Sequence, residues 1–230
     1  SSDEYATRFA GPAGEWMLAV QEKITWRLLR GFAGATVLDV GGGHGQLAVP
    51  LARAGWHVTV LGSDESCRHR VRDVVDSGAG TFVVGNVIAL PFPDRSFDVV
   101  LCFRLLTHCE RWPELARELC RGARRAVIVD YPTGQSLNAI APALFGAKKK
   151  FEKNTRTWAL FRHAQVSGEF AKNGYAPAAT GKQFFLPMVL HRMLKSRAAS
   201  AALESVCRAL GLTRLWGSPV IVRFEPTNTR

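Results

Sequence analysis

Val37-Leu38-Asp39-Val40-Gly41-Gly42-Gly43-His44-Gly45 is the stretch that decides how this chain folds. Thr36 to Val40 reads as a short buried strand, and the glycine cluster follows at once. Glycines directly after a strand let the backbone turn sharply and approach a ligand where a Cβ would collide. Helical spacing resumes from Gln46 to Ala54, with Gly55 as its C-terminal cap, so the turn opens onto a helix N-terminus with free N–H groups. A dinucleotide fingerprint would read G-x-G-x-x-G. Here glycines at 41, 43 and 45 give G-x-G-x-G, with Asp39 two positions upstream.

Outward from this turn the pattern keeps alternating. On the N-terminal side, Tyr5 to Arg30 reads as a helix, because Trp16, Val20, Ile24 and Leu28 recur every four residues. On the other side, strands are expected over His57–Leu61, Thr81–Val84, Phe97–Phe103 and Ala126–Asp130, with helices over Cys67–Val75 and Pro113–Cys120 between them. Strands alternating with helices at this spacing indicate a parallel α/β sheet wound on both faces. After Tyr131 the periodicity weakens. Residues Gly134 to Lys153 read as a helix or loop excursion, Phe184–Lys195 and Ala198–Leu210 as helices, and Pro219–Phe224 as a last strand.

The chain has 230 residues, 47% of them apolar, which suits one α/β domain with a sizeable core. No apolar run approaches the roughly 18–20 residues of a membrane span, and Ser1 to Phe9 lacks a secretory layout. The five cysteines are odd in number and form no C-x-x-C, which argues against zinc or a disulfide framework and fits a reducing cytoplasm. The net charge is +11 and unevenly spread. Between Lys148 and Arg197 eleven basic residues face only Glu152 and Glu169, with Phe151, Trp158, Phe161, Phe170, Tyr175, Phe184 and Phe185 among them. Such asymmetry points to an anionic partner: an acidic substrate, a membrane surface or nucleic acid. A merely solvated basic face is the alternative.

The glycine turn resembles the first motif of class I S-adenosylmethionine-dependent methyltransferases. The likeness continues through Gly85-Asn86-Val87 and Leu90-Pro91-Phe92-Pro93-Asp94-Arg95-Ser96-Phe97-Asp98-Val99-Val100, which is similar to the "LPFPDxSFDxV" run of the ubiquinone/menaquinone-type (methyltransferase type 11-like) branch. It covers residues 35 to 130 well and the C-terminal hundred poorly. What it implies is a Rossmann-like, doubly wound, mostly parallel seven-stranded sheet, with an N-terminal helical lid (1–34), a cofactor-binding core (35–130), a basic, aromatic-rich substrate cap (134–197) and a C-terminal helix and strand (198–230).

The resemblance also implies S-adenosylmethionine as cofactor, leaving as S-adenosylhomocysteine. The expected cofactor-binding residues are Asp39, Gly41, Gly42, Gly43, Gly45, Gly62, Ser63, Asp64, Asn86, Val87 and Phe103. Three departures stand out. The ribose-binding acid expected at the end of the second strand is Gly62, with Asp64 the nearest carboxylate. The acid expected by the adenine amine is Asn86, whose amide can still accept a hydrogen bond. The usual "kPGG" turn is Arg121-Gly122-Ala123-Arg124-Arg125, a change of loop rather than of chemistry.

Displacement at a sulfonium methyl requires neither metal nor covalent nucleophile, and no H-E-x-x-H or G-x-S-x-G occurs. A general base helps only where the acceptor is a phenol, hydroxyl or acidic carbon. His108 is the catalytic candidate, with a cofactor-facing or structural role as its alternative; His44 borders the site. Tyr5, Arg104, His108, Tyr131 and Trp158 are the expected substrate contacts. The expected acceptor is a small apolar, lipid-, quinone- or polyketide-like molecule with an anionic group, with peripheral contact to anionic membrane. Nucleic acid is disfavoured, because no N-P-P-Y-type tetrapeptide follows the fourth strand. An oxidoreductase, an RNA or protein methyltransferase, and a non-catalytic lipid- or partner-binding protein are the competing readings. The missing acid at Gly62 is the main support of the last.

Overall fold

The computed structural model describes residues 9–137 and 159–227. The expected cap residues Phe151 and Trp158, the lysine run at 148–150 and Tyr5 lie outside the described residues.

A first helix, α1 (Gly11–Leu28), precedes β1 (Thr36–Val40), α2 (Ala48–Arg53) and β2 (His57–Gly62). A 3₁₀ turn over Glu65–Val71 runs into α3 (Arg72–Asp76), then β3 (Gly80–Val84) and β4 (Phe97–Cys102). A short 3₁₀ turn (Leu106–His108) leads to α4 (Trp112–Gly122) and β5 (Ala123–Tyr131). The C-terminal part holds α5 (His163–Lys172), β6 (Tyr175–Phe184), α6 (Met188–Leu194), α7 (Arg197–Ala209), α8 (Leu212–Trp216) and β7 (Ser218–Pro226).

The seven strands form one sheet in the order β3-β2-β1-β4-β5-β7-β6. β1 to β5 are parallel, while β7 runs antiparallel to both β5 and β6. Its strands bury side chains on both sides, as a sheet covered by helices requires. On one side Leu38, Val40, Val100, Val127 and Val129 pack with Leu115 and Leu119 of α4 and Phe170 of α5. On the other Val37, Val58, Val60, Leu101 and Ile128 pack with Ile24 and Leu28 of α1, Leu51 of α2 and Val74 of α3. The strand order reverses between β1 and β4, and open α/β sheets bind ligands at the carboxyl edge of such a switch point.

Two motif stretches turn out to be scaffold. Arg121 of α4 donates to the carbonyls of Leu90 (3.0 Å) and Phe92 (2.8 Å) and to Asp94 (2.8 Å). Beside it Glu118 accepts from Leu90 N at 2.9 Å. The Leu90–Asp94 run is thereby latched to α4, which passes straight into β5 at Ala123 with no intervening turn. Asp98 accepts from both Thr36 N and Thr36 Oγ1 at 3.0 Å, tying the start of β1 to β4.

The C-terminal reading needs correction. The helix expected over Phe184–Lys195 begins only at Met188, and an unexpected strand, β6, occupies Tyr175–Phe184. The expected cap over 134–197 therefore contains an edge strand of the main sheet. β6 lacks apolar alternation because α1 lies against it: a Cβ on Gly181 would come within 2.3 Å of Ile24 Cγ2. Edge strands with small residues, Pro177 among them here, carry little periodic signal.

Candidate active site

The carboxyl ends of β1, β2 and β4 surround a cavity of about 250 Å³. Its floor is the turn after β1. Gly41 takes φ +76°, a conformation that favours glycine, and its N–H donates to Leu61 O at 2.9 Å, joining the turn to β2. Gly42 passes so close to the Asp39 carboxylate that an added Cβ would sit 2.1 Å from Oδ2. A Cβ on Gly43 would meet Cys67 Cβ at 2.9 Å. The turn is thus packed on its protein side as well as open to the cavity.

Asp39, Gly41, Gly42, Gly43, Gly62, Ser63, Val87 and Phe103, all expected at the cofactor, line this cavity, and so do Arg104, His44 and His108. Gly45 does not line it: at φ +67° it closes the turn, donating to Gly42 O at 2.8 Å. Asp64 is exposed and off the cavity wall, because its carboxylate caps the following 3₁₀ turn through Ser66 N at 2.8 Å. Asn86 is likewise exposed, its Oδ1 accepting from Ile88 N at 3.1 Å, and Val87 is the residue of that turn that reaches the cavity. Tyr131, expected to touch substrate, is fully buried away from the cavity; its hydroxyl lies 2.6 Å from His163 Nδ1 and its ring packs edge-on to Phe161. Burial raises the Tyr131 hydroxyl pKa and lowers that of His163, so a neutral phenol faces a neutral imidazole. At the end of β2, a Cβ on Gly62 would come 2.6 Å from Phe82 Cζ, so the Phe82 ring fills the space that an acid there would need.

The electrostatics centre on Arg104. It has left-handed backbone (φ +57°), held there by its N–H donating to Asp130 Oδ1, and its guanidinium stands 5.1 Å from the Phe9 ring centroid. Burial raises the Asp39 pKa to about 7 and that of Asp130 to about 6, and in both cases Arg104 opposes the rise. Cys102, buried near both acids, has its thiol pushed up by desolvation and by their charges. His44 Nδ1 lies 2.5 Å from Arg70 Nη1 and accepts from it, since an arginine can only donate.

The sequence reading missed Gln21. This α1 residue is 5% exposed and lines the cavity. Its signal was present: Met17, Gln21, Ile24 and Leu28 form one buried helix face, interrupted by a single amide.

A family model described as a methyltransferase domain matches residues 38–128. The chain is 31% identical over 217 residues to an uncharacterized methyltransferase of Mycolicibacterium paratuberculosis, covering 88% of this chain and 78% of that protein. An uncharacterized methyltransferase of Mycobacterium avium is 33% identical over 159 residues, 65% of this chain but only 59% of its own length. Among solved structures, the magnesium protoporphyrin IX methyltransferase of Synechocystis PCC 6803 with bound SAH superposes with a TM-score of 0.67 at 17% identity, over 98% of this chain and 94% of that one. The likeness at that identity concerns the fold. This chain belongs to the class I S-adenosylmethionine-dependent methyltransferases.

Proposed function

We propose that the cavity binds S-adenosylmethionine and that the protein transfers its methyl group to a small-molecule acceptor with an apolar body and an anionic group. The observation that carries this reading is the glycine turn itself, bare toward the cavity and packed onto Asp39 at Gly42, a cradle that a side chain would fill. Asp39, Gly41, Gly43, Ser63, Val87 and Phe103 would hold the cofactor, which when bound supplies an activated methyl on a sulfonium.

The chain's own part is then to orient and to dry the site. Positioning of two reactants contributes on the order of 7–11 kcal/mol to such a displacement. Phe103, Leu47 and Leu105 give the cavity an apolar wall, and Arg104, on the same wall, would supply a cation to an anionic acceptor. His108, also on the wall, is the group placed to accept a proton if the acceptor is a phenol, hydroxyl or acidic carbon. Gln21 adds an amide donor and acceptor from α1.

The test is a methylation assay with labelled cofactor on a lysate partitioned into lipid, small-molecule, RNA and protein fractions. Label entering the lipid or small-molecule fraction, and lost with His108→Ala or Arg104→Ala, is the expected result. Label confined to RNA or protein would refute the acceptor class. A second reading, a methyltransferase fold without turnover, draws on Gly62, where Phe82 takes the place of the ribose-binding acid. Calorimetric titration separates the two: S-adenosylhomocysteine that fails to bind at millimolar concentration favours the second.

A further inference from the structure

Helix α7 is inverted. Its polar residues Ser200 and Glu204 are buried, while Leu203, Val206 and Leu210, spaced three and four apart on one stripe, are 42%, 59% and 69% exposed. Ala198, Ala202 and Ala209 are exposed beside them, together with Arg197, Ser205 and Arg208. Rotation of the helix to bury the leucines is blocked by Glu204. Its carboxylate accepts from Phe185 N at 3.0 Å and Leu186 N at 2.8 Å, and lies 3.2 Å from His191 Nε2, pinning α7 to the turn between β6 and α6. Helices α8 and α6, which pack on α7, expose Leu215, Trp216 and Met193 at 58%, 47% and 65%. Exposed apolar side chains gathered on neighbouring helices in this way mark an interaction site.

The charges around it choose the partner. Between Met188 and Gly217 the basic residues Arg192, Lys195, Arg197, Arg208 and Arg214 accompany the stripe, and the one acid, Glu204, is buried. A two-fold dimer would set this patch against itself, bringing like charges together. An apolar stripe with an exposed tryptophan, on helices whose own exposed charges are all basic, suits the headgroup boundary of an anionic bilayer.

From the inverted α7 and the basic residues that α6 to α8 set beside it, we infer that the α7–α8 face is a docking surface for anionic lipid membrane. It is separate from the cavity; Ala201 of α7 packs against the cluster of Trp16, Met17 and Phe184, the first two on α1, the helix that lends Gln21 to the wall. The inference stands independently of the methyl-transfer reading, and its test needs no cofactor.

The test is co-sedimentation of the full chain with phosphatidylcholine vesicles, with and without about 30% phosphatidylglycerol, at low salt and at about 0.5 M NaCl, where charge attraction is screened. Expected is binding to the anionic vesicles alone, released by salt, with Trp216 fluorescence shifting to the blue and the shift reduced in Trp216→Phe. Val206→Asp/Leu210→Asp, both at exposed positions, should lower partitioning by about tenfold or more, because two anchors leave the interface. Lys195→Glu/Arg214→Glu should do the same without removing apolar surface. Absence of binding, equal binding to neutral vesicles, or unchanged binding by the Val206→Asp/Leu210→Asp variant would overturn the inference. So would a lipid-free dimer that this variant dissolves, which would assign the face to a second copy.

Discussion

The Asp39 carboxylate and the Gly42 backbone are in such close contact that a methyl group at residue 42 would stand 2.1 Å from Oδ2. A Cβ essentially never tolerates such an approach, so Gly42→Ala must push the carboxylate out of place or lift the turn. The expected outcome is a 10- to 100-fold (roughly 1.5–3 kcal/mol) loss of S-adenosylhomocysteine affinity, the scale of one hydrogen bond to a charged group. Calorimetry reads the loss, and an unchanged far-UV circular dichroism spectrum confirms that the sheet is intact. Wild-type affinity in Gly42→Ala would remove Asp39 from the cofactor site.

Burial of Asp39 and Asp130 makes stability depend on pH in a stated direction. Unfolded, both carboxyls titrate near 3.8; folded, Asp39 titrates near 7 and Asp130 near 6. Between about 4 and 7 the folded state binds more protons than the unfolded one, so stability falls as pH rises and levels off above 7. Asp39→Asn removes the largest share. Its thermal midpoint should exceed that of the wild type at pH 8 and approach it at pH 5, the difference amounting to something on the order of 2–4 kcal/mol. Melting curves at both pH values decide it; parallel slopes in the two proteins would show that Asp39 is not the buried titrating group.

The parallel half of the fold was legible in the sequence because strands and helices alternate there at regular spacing, with the glycine turn from Gly41 directly after β1 and Gly55 closing α2. The antiparallel edge was not, since β6 is small where α1 crosses it at Gly181 and has no periodic apolar face. In the site, the glycine turn, Phe103 and Arg104 could be placed from strand ends alone. Tyr131 could not: a residue at a strand end can point into either layer, and this one is turned toward His163 beneath α5. Gln21 comes from a helix far away in sequence, and its neighbours hid it within an apolar face.

Asp64 separates charge from capping. Its carboxylate holds Ser66 N, and as an exposed group it titrates below the usual range because of that hydrogen bond. Asparagine caps a helix about as well as aspartate does. Asp64→Asn should therefore leave S-adenosylhomocysteine affinity within about threefold, whereas Asp64→Ala, which loses the cap, should lower the thermal midpoint. A tenfold or greater loss of affinity in Asp64→Asn would instead place the carboxylate on the ribose hydroxyls.

The end of β2 offers a test of why this chain has no acid at residue 62. Phe82 lies on β3 with its Cζ 2.6 Å from where a Gly62 Cβ would stand, so Gly62→Asp by itself must move an aromatic ring packed against the sheet. That single substitution should lower both thermal stability and cofactor affinity. Phe82→Leu alone removes ring atoms from a partly buried position and should cost about 1 kcal/mol. In Gly62→Asp/Phe82→Leu the new carboxylate has room beside Ser63, on the cavity wall, so the double variant should bind S-adenosylhomocysteine more tightly than either single variant. Coupling of this kind, about 1 kcal/mol or more in a double-mutant cycle read by calorimetry, would show the two positions trading one volume. Additive losses would mean that the ring and residue 62 are independent, and that the missing acid has some other cause.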